Sequence, residues 1–246
     1  MRPPLAFAVA LLALSLSGCT RYEYEHEFWL KGDGSGSLYV TGRPALWAAF
    51  KGVGRLEDPE KTISNDALKR LFERSGLRVR RVLRTRRSGR TYYFVSADFK
   101  DVNVLGGTAA FPDLTLALLP ENGQLRLSGA WTRPQPSLAV ADAERPGLMA
   151  VRFHLPSKVY EHKNAFAGVE RGNILTWRQD VAQGLDGRAL EFGARMDRRS
   201  ILLTTVTLFG EAVLAAVVFV ALLLYLAYRR GRRLLEQDAR SRASQS

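Results

Sequence analysis

The 246-residue chain contains a single cysteine and only three histidines. One thiol cannot form an intramolecular disulfide, even in a compartment that would permit one. No HExxH, GxSxG or phosphate-cradling glycine loop occurs, so the patterns of zinc hydrolysis, serine-esterase chemistry and nucleotide binding are missing. Internal repeats are absent, as is a clear interdomain linker. Acidic residues are few: 24 against 36 basic, a formal net charge of +12. Such an excess invites a nucleic-acid reading, but its distribution argues otherwise. The tail from Arg229 onward has six arginines against Glu236 and Asp238, and Arg2 belongs to the leader, which leaves +7 for the rest. The stretch LRVRRVLRTRRSGR, residues 77–90, alone carries seven arginines and no acid. A basic patch outside the cell faces anionic headgroups or acidic glycans rather than DNA, so no nucleic-acid partner is expected.

With one cysteine in the chain, its position is informative. Residues 1–19, MRPPLAFAVALLALSLSGC, run from a positive charge through an apolar core to small residues, the order of an export signal. Leu16-Ser17-Gly18-Cys19 resembles the bacterial lipobox, in which the thiol is acylated and the leader is cut away just before it. Cys19 is thus the expected lipidation site and residues 1–18 a signal peptide. The bland alternative is an uncleaved anchor with an incidental cysteine.

The other end carries TLFGEAVLAAVVFVALLLYLAYRRGRR. Residues 212–228 hold no charge and show no polar face, unlike a buried core helix. About 20 apolar residues in helix cross a hydrocarbon layer of roughly 30 Å, so a transmembrane helix is expected at 205–228. Tyr225 and Tyr228 would lie in an aromatic belt. The Arg229, Arg230, Arg232 and Arg233 cluster assigns the tail, 229–246, to the cytoplasm. Glu211 falls at the outer end of the span, where a carboxylate can reach headgroups. Residues 19–200 are then the exported part, tethered to the bacterial cytoplasmic membrane at both ends.

Within that part, YEYEHEFWL alternates with period two, and KGDGSGS breaks it into a hairpin with LYV. His26 falls in the apolar register. RPALWAAFKGVGR reads as a short helix with Pro44 in its first turn and Gly52 and Gly54 ending it. Trp47 and Phe50 share one face of it, either core or a membrane-facing or ligand-facing rim. SNDALKRLFERSG reads as a second helix with Leu68, Leu71 and Phe72 as its stripe. In the arginine hairpin, Arg78, Arg80, Arg84 and Arg86 share one parity opposite Leu77, Val79 and Leu83, with Ser88-Gly89 as the turn. These arginines form either a solvated outer face or a headgroup-facing patch. LTLALL, QLRLSGAW, LMAVRFHL, NILTWRQDV and RALEFGARM add further strands. Residues 160–164, YEHKN, bring Glu161, His162 and Asn164 together on an expected turn. About eight short strands and two helices make one α+β domain with a mostly antiparallel sheet.

DGSGSLYV, residues 33–40, and the Pro156–Trp177 stretch resemble the LppM-type bacterial envelope lipoprotein family. The second stretch has the pattern of a proline-led Val, an Asn, a glycine-containing turn and a Trp-bearing strand. Pro156-Ser157 stands where that family usually has Pro-Gly, and the seven-arginine hairpin departs from its pattern. The resemblance implies a START-like curved sheet and a role in envelope lipid binding or handling. The leading expectation is therefore a non-enzymatic module that binds an amphipathic envelope lipid or glycolipid, with no cofactor and no metal. Trp47, Phe50 and Trp177 would line an apolar groove, with Arg78, Arg80, Arg84 and Arg86 near its mouth. The alternative is an accessory or structural subunit of an inner-membrane complex, contacting its protein partner through the span.

Overall fold

The computed structural model describes residues 22–133, 140–198 and 201–243. Cys19 and the expected signal peptide lie outside them. The chain divides into two units, Met1–Arg198 and Arg199–Ser246.

The first unit is α+β, with eleven strands in two sheets among its described residues. In chain order its elements are β1 (Tyr22–Leu30), β2 (Gly36–Gly42), α1 (Pro44–Lys51), the single-turn α2 (Pro59–Thr62) and α3 (Asn65–Arg74). There follow β3 (Arg78–Arg87), β4 (Arg90–Phe99), β5 (Leu114–Glu121), β6 (Gln124–Trp131), β7 (Leu148–His154) and β8 (Val159–Lys163). The series ends with β9 (Phe166–Glu170), β10 (Ile174–Asp180), α4 (Val181–Leu185) and β11 (Leu190–Asp197). Seven strands form the larger sheet, ordered β3-β4-β2-β1-β7-β10-β9, and four the smaller, ordered β5-β6-β11-β8. Among the described residues all pairings are antiparallel except β1 with β7, which join parallel across more than 100 residues of sequence. Each strand segment expected from the sequence is present. The additional ones are β8 and β9, which form between Leu155 and Ile174 and belong to different sheets.

Local chemistry explains the tight connections. Ser88-Gly89 and Asn122-Gly123 all have positive φ, 50° and 80° in the first turn and 49° and 78° in the second. Two-residue turns of this hand match the twist of the strands they join, and glycine tolerates that region without a Cβ clash. Helix α1 starts on Pro44 and stops where Gly52 turns left-handed, at φ 63°. All eight of its residues are buried. Helix α3 is capped by Ser64, whose Oγ accepts the Ala67 N–H at 3.1 Å, and it buries only Leu68, Leu71 and Phe72.

The core lies between the inner face of the large sheet on one side and the helices with the small sheet on the other. Tyr24 meets Trp47 at a ring separation of 5.7 Å and Phe50 at 5.1 Å. Phe153 stacks on Phe28 at 4.8 Å and reaches Phe192 of the small sheet at 5.3 Å. Burying such a side chain contributes roughly 1.5–3 kcal/mol each, so this aromatic seam ties the two sheets into one body.

The second unit contains the helix α5 (Ile201–Ala243). Thr205–Arg230, 26 residues, is long and apolar enough to cross a membrane. Its large side chains, including Phe209, Leu214, Phe219 and Leu224, are exposed. At 1.5 Å rise per residue such a segment covers about 39 Å, more than the roughly 30 Å of a hydrocarbon layer.

Candidate functional site: the outer face of the large sheet

Alternation along the strands of the large sheet sends one set of side chains into the core and the other to the opposite face. Across the sheet it runs from Leu83 and Thr85 on β3 through Phe94 on β4, Tyr39 and Thr41 on β2, and Glu25, Glu27 and Trp29 on β1. It continues with Arg152 and His154 on β7 and Thr176 and Arg178 on β10. Tyr39 stacks on Phe94 at 5.8 Å, and Trp29 lies flat on His154 at 3.6 Å with 47% of its surface still exposed. His154 Nε2 meets Glu27 Oε1 at 2.7 Å, and Arg152 reaches Glu25 at 3.3 Å. Desolvation raises the pKa of Glu25, and Arg152 pulls it back. Aromatic rings, hydroxyls, carboxylates and guanidinium groups are thus presented side by side on a rigid sheet. This arrangement can stack on a ring or chain and hydrogen-bond polar groups around it.

The arginines of β3 do not keep the parity expected from the sequence. A β-bulge between Val79 and Arg81 inserts Arg80 as an extra residue and shifts the phase of everything after it. Arg78, paired with Asp98, and Arg81, paired with Ser96, face outward with the aromatic platform. Arg84 pairs with Tyr93 and Arg86 with Thr91, which puts both on the opposite face, and Leu83 turns outward. Arg84 reaches Glu60 at 3.7 Å, and Arg86 donates to the Gly89 carbonyl at 3.3 Å. Arg80 and Arg78 both donate to Asp98, the latter at 2.7 Å, and Ser37 Oγ donates to the same carboxylate at 3.0 Å. Arg81, which the sequence reading passed over, is exposed on the platform side. The bulge, which no sequence periodicity announces, is what brings it there.

The Asp98 clamp fixes this edge. The Arg80 and Arg78 guanidinium groups, with the Ser37 hydroxyl, hold its carboxyl well below the usual carboxylate range. A carboxylate with a depressed folded-state pKa stabilises the fold fully above its unfolded value, about 4, and loses that contribution as pH falls through the folded value. The melting temperature of Asp98→Asn should therefore lie below that of the parent at neutral pH. The two should still differ at pH 3 and converge only in stronger acid.

Trp47, Phe50 and Trp177 do not line a groove. They are 0%, 2% and 1% exposed, in the aromatic core. Trp47 Nε1 donates to the Gly42 carbonyl at 3.1 Å, and Trp177 Nε1 donates to that of Lys163 at 2.5 Å. The reason is packing: α1 lies with every residue buried, and the small sheet closes over β7 and β10. A second feature that the sequence did not reveal is a buried polar cluster beside them. Lys51 and Asp113, both with fully buried side chains, pair at 2.9 Å, and Trp131 Nε1 also donates to Asp113. His26 stacks on Trp131 at 4.4 Å, and neither of its nitrogens has a hydrogen-bond partner among the described residues. Burial, reinforced by Lys51, pushes the His26 pKa well down, so the ring is neutral. Its place in the apolar register of β1 is thus a core position.

Two open concavities flank the small sheet. One, about 810 Å³, lies over Ser128, Gly129 and Gly193. Its rim charges are matched: Lys163 with Glu191, and Arg195 with Glu161 at 3.6 Å. His162 borders it from the end of β8, a strand rather than the expected turn, and its Nδ1 accepts the Ala165 N–H at 3.3 Å. The other, about 680 Å³, is bordered by Asn103, Asp113, Leu116 and Arg133. None of Trp47, Phe50 and Trp177 borders either. Among the described residues no group of three or more His, Cys, Asp or Glu side chains could hold a metal ion.

No family model and no curated protein matches the chain. A weak structural neighbour is the folded domain of the LppM protein of Mycobacterium tuberculosis, determined by NMR. It is 12% identical, with a TM-score of 0.40, and the match covers 72% of this chain and 89% of that one.

Proposed function

We propose that this chain is a membrane-tethered bacterial lipoprotein, acylated at Cys19 and crossing the cytoplasmic membrane once. Its exported domain binds the polar end of an anionic envelope lipid or glycolipid, without catalysing a reaction. The observation that carries this reading is the outer face of the large sheet. There the exposed Arg81 on β3 shares one face with the Tyr39–Phe94 stack, Thr41 and, three strands away on β1, the half-exposed ring of Trp29. A guanidinium group suits phosphate or carboxylate, and exposed rings suit the apolar faces of sugars or the glycerol region. The filled core argues that acyl chains stay in the bilayer while the headgroup is held outside it.

The test is native mass spectrometry of the full chain released gently from membranes. A co-purifying anionic lipid or glycolipid is expected, and Arg81→Glu with Trp29→Ala should reduce its occupancy by about tenfold, the effect of losing one charged contact and one stacking contact. A chain that carries only a protein partner would instead support an accessory subunit of an envelope complex. Retention of lipid by the double variant would move the site elsewhere.

A further inference from the structure

We propose that the edge formed by β8 and β9 is a membrane-docking surface that seats on an anionic bilayer. The two strands are consecutive in sequence yet belong to different sheets, and each is the last strand of its own. Tyr160, Phe166 and Val169 stand exposed along them, at 53%, 41% and 37%. Exposed Lys158 and Arg171 flank these residues, and the Arg178 guanidinium lies 3.1 Å from the centre of the Phe166 ring. Two acids, Glu161 and Glu170, share the edge, and Glu161 faces Arg195 at 3.6 Å. Apolar and aromatic tips among long cationic side chains match a bilayer interface: the tips enter the acyl boundary while the ammonium and guanidinium groups meet phosphate.

Two observations favour a bilayer over an added strand from another protein. First, β9 is a poor template. It pairs with β10 only at Ile174↔Glu170 and Thr176↔Phe166, so three residues of β9 oppose one of β10. Asn164, Ala167 and Arg171, none of them glycine, hold positive φ of 54°, 56° and 50°. The backbone of this edge is therefore kinked out of strand geometry, which blunts edge-to-edge pairing while leaving the side chains presented. Second, the edge adjoins the point where the chain leaves the sheet. Lys158 accepts the Asp197 N–H through its carbonyl at 3.0 Å, and the Tyr160 hydroxyl donates to Asp197 Oδ2 at 3.1 Å. Seven residues, 198–204, follow before Thr205, where the apolar stretch of α5 begins.

This inference rests on the reading of Thr205–Arg230 as a span, but not on the ligand of the sheet face. To test it, the full chain is reconstituted in vesicles of equal phosphatidylcholine and phosphatidylglycerol, with and without bromine on the acyl chains. Tyr160→Trp and Phe166→Trp each add a fluorophore at the edge, and Leu119→Trp, at an exposed position on the opposite edge strand β5, is the control. Brominated lipid should quench the added emission at 160 and 166 by about twofold or more, as expected for side chains at the acyl boundary, and leave that at 119 unchanged. Charge reversal of Lys158 and Arg171 to Glu should abolish the effect. Absence of quenching at 160 and 166, or equal quenching at 119, would overturn the proposal. Alkaline extraction separates the two readings: a chain washed out of the vesicles defeats the span, whereas one retained but unquenched defeats only the docking surface.

Discussion

Asp113→Asn and Lys51→Met are each expected to lower the unfolding free energy by about 3–5 kcal/mol, as breaking a buried ion pair generally does. Both side chains are fully buried, and their 2.9 Å contact is the main compensation for burying either charge. Desolvation already lowers the Lys51 pKa, and Asp113 is what opposes that shift. The ammonium group also lies 4.7 Å from the centre of the Phe111 ring, a weaker favourable contact that would survive loss of the acid. The double variant Lys51→Met with Asp113→Asn should recover most of the loss. It removes both buried charges while keeping an oxygen to accept from Trp131 Nε1. Replacing such a pair by neutral groups is often neutral or stabilising. The exposed Arg84–Glu60 pair is the natural comparison, because deleting it should change stability by less than about 1 kcal/mol. Denaturant titration of the parent and these variants measures this directly. A single Asp113→Asn variant as stable as the parent would refute the buried-pair account.

Trp177→Ala is expected to cost about 3–5 kcal/mol, the range for truncating a large buried aromatic. The indole is 1% exposed, lies 6.0 Å from Phe153 and 5.8 Å from Phe192, and donates its N–H to a strand carbonyl on β8. Its removal opens a cavity where the two sheets meet and leaves the Lys163 carbonyl without that donor. Against a typical domain stability of about 5–15 kcal/mol, this is a large fraction. The same measurement separates packing from ligand lining. A core tryptophan loses stability on truncation, whereas a groove-lining one would lose ligand occupancy while the denaturation midpoint stayed put.

Much of the architecture was legible because it is written in local patterns. The period-two alternation of Tyr22–Leu30 sets the inward and outward faces of β1. Ser88-Gly89 and Asn122-Gly123 turn where only residues tolerant of positive φ suit a two-residue hairpin. Pro44, Gly52 and Ser64 mark helix ends by what their backbones and side chains can do. The uncharged run of residues 212–228 is apolar whatever surrounds it.

What tertiary structure alone decided concerns partners far apart in the chain. Lys51 meets Asp113 across 62 residues, and β1 joins β7 in parallel, neither of which leaves a periodic trace in the sequence. The bulge at Arg80 depends on how β3 registers against β4, and it overturned the parity on which the arginine stripe rested. A one-residue slip in a strand exchanges its faces, so Arg84 and Arg86 moved away from Arg78 while Arg81 joined it. Trp47 and Phe50 read as core with a rim as the alternative, and Trp177 as groove lining, because apolarity records a preference for leaving water and not what covers the side chain. Closure of α1 and the small sheet over the inner face settled them as core.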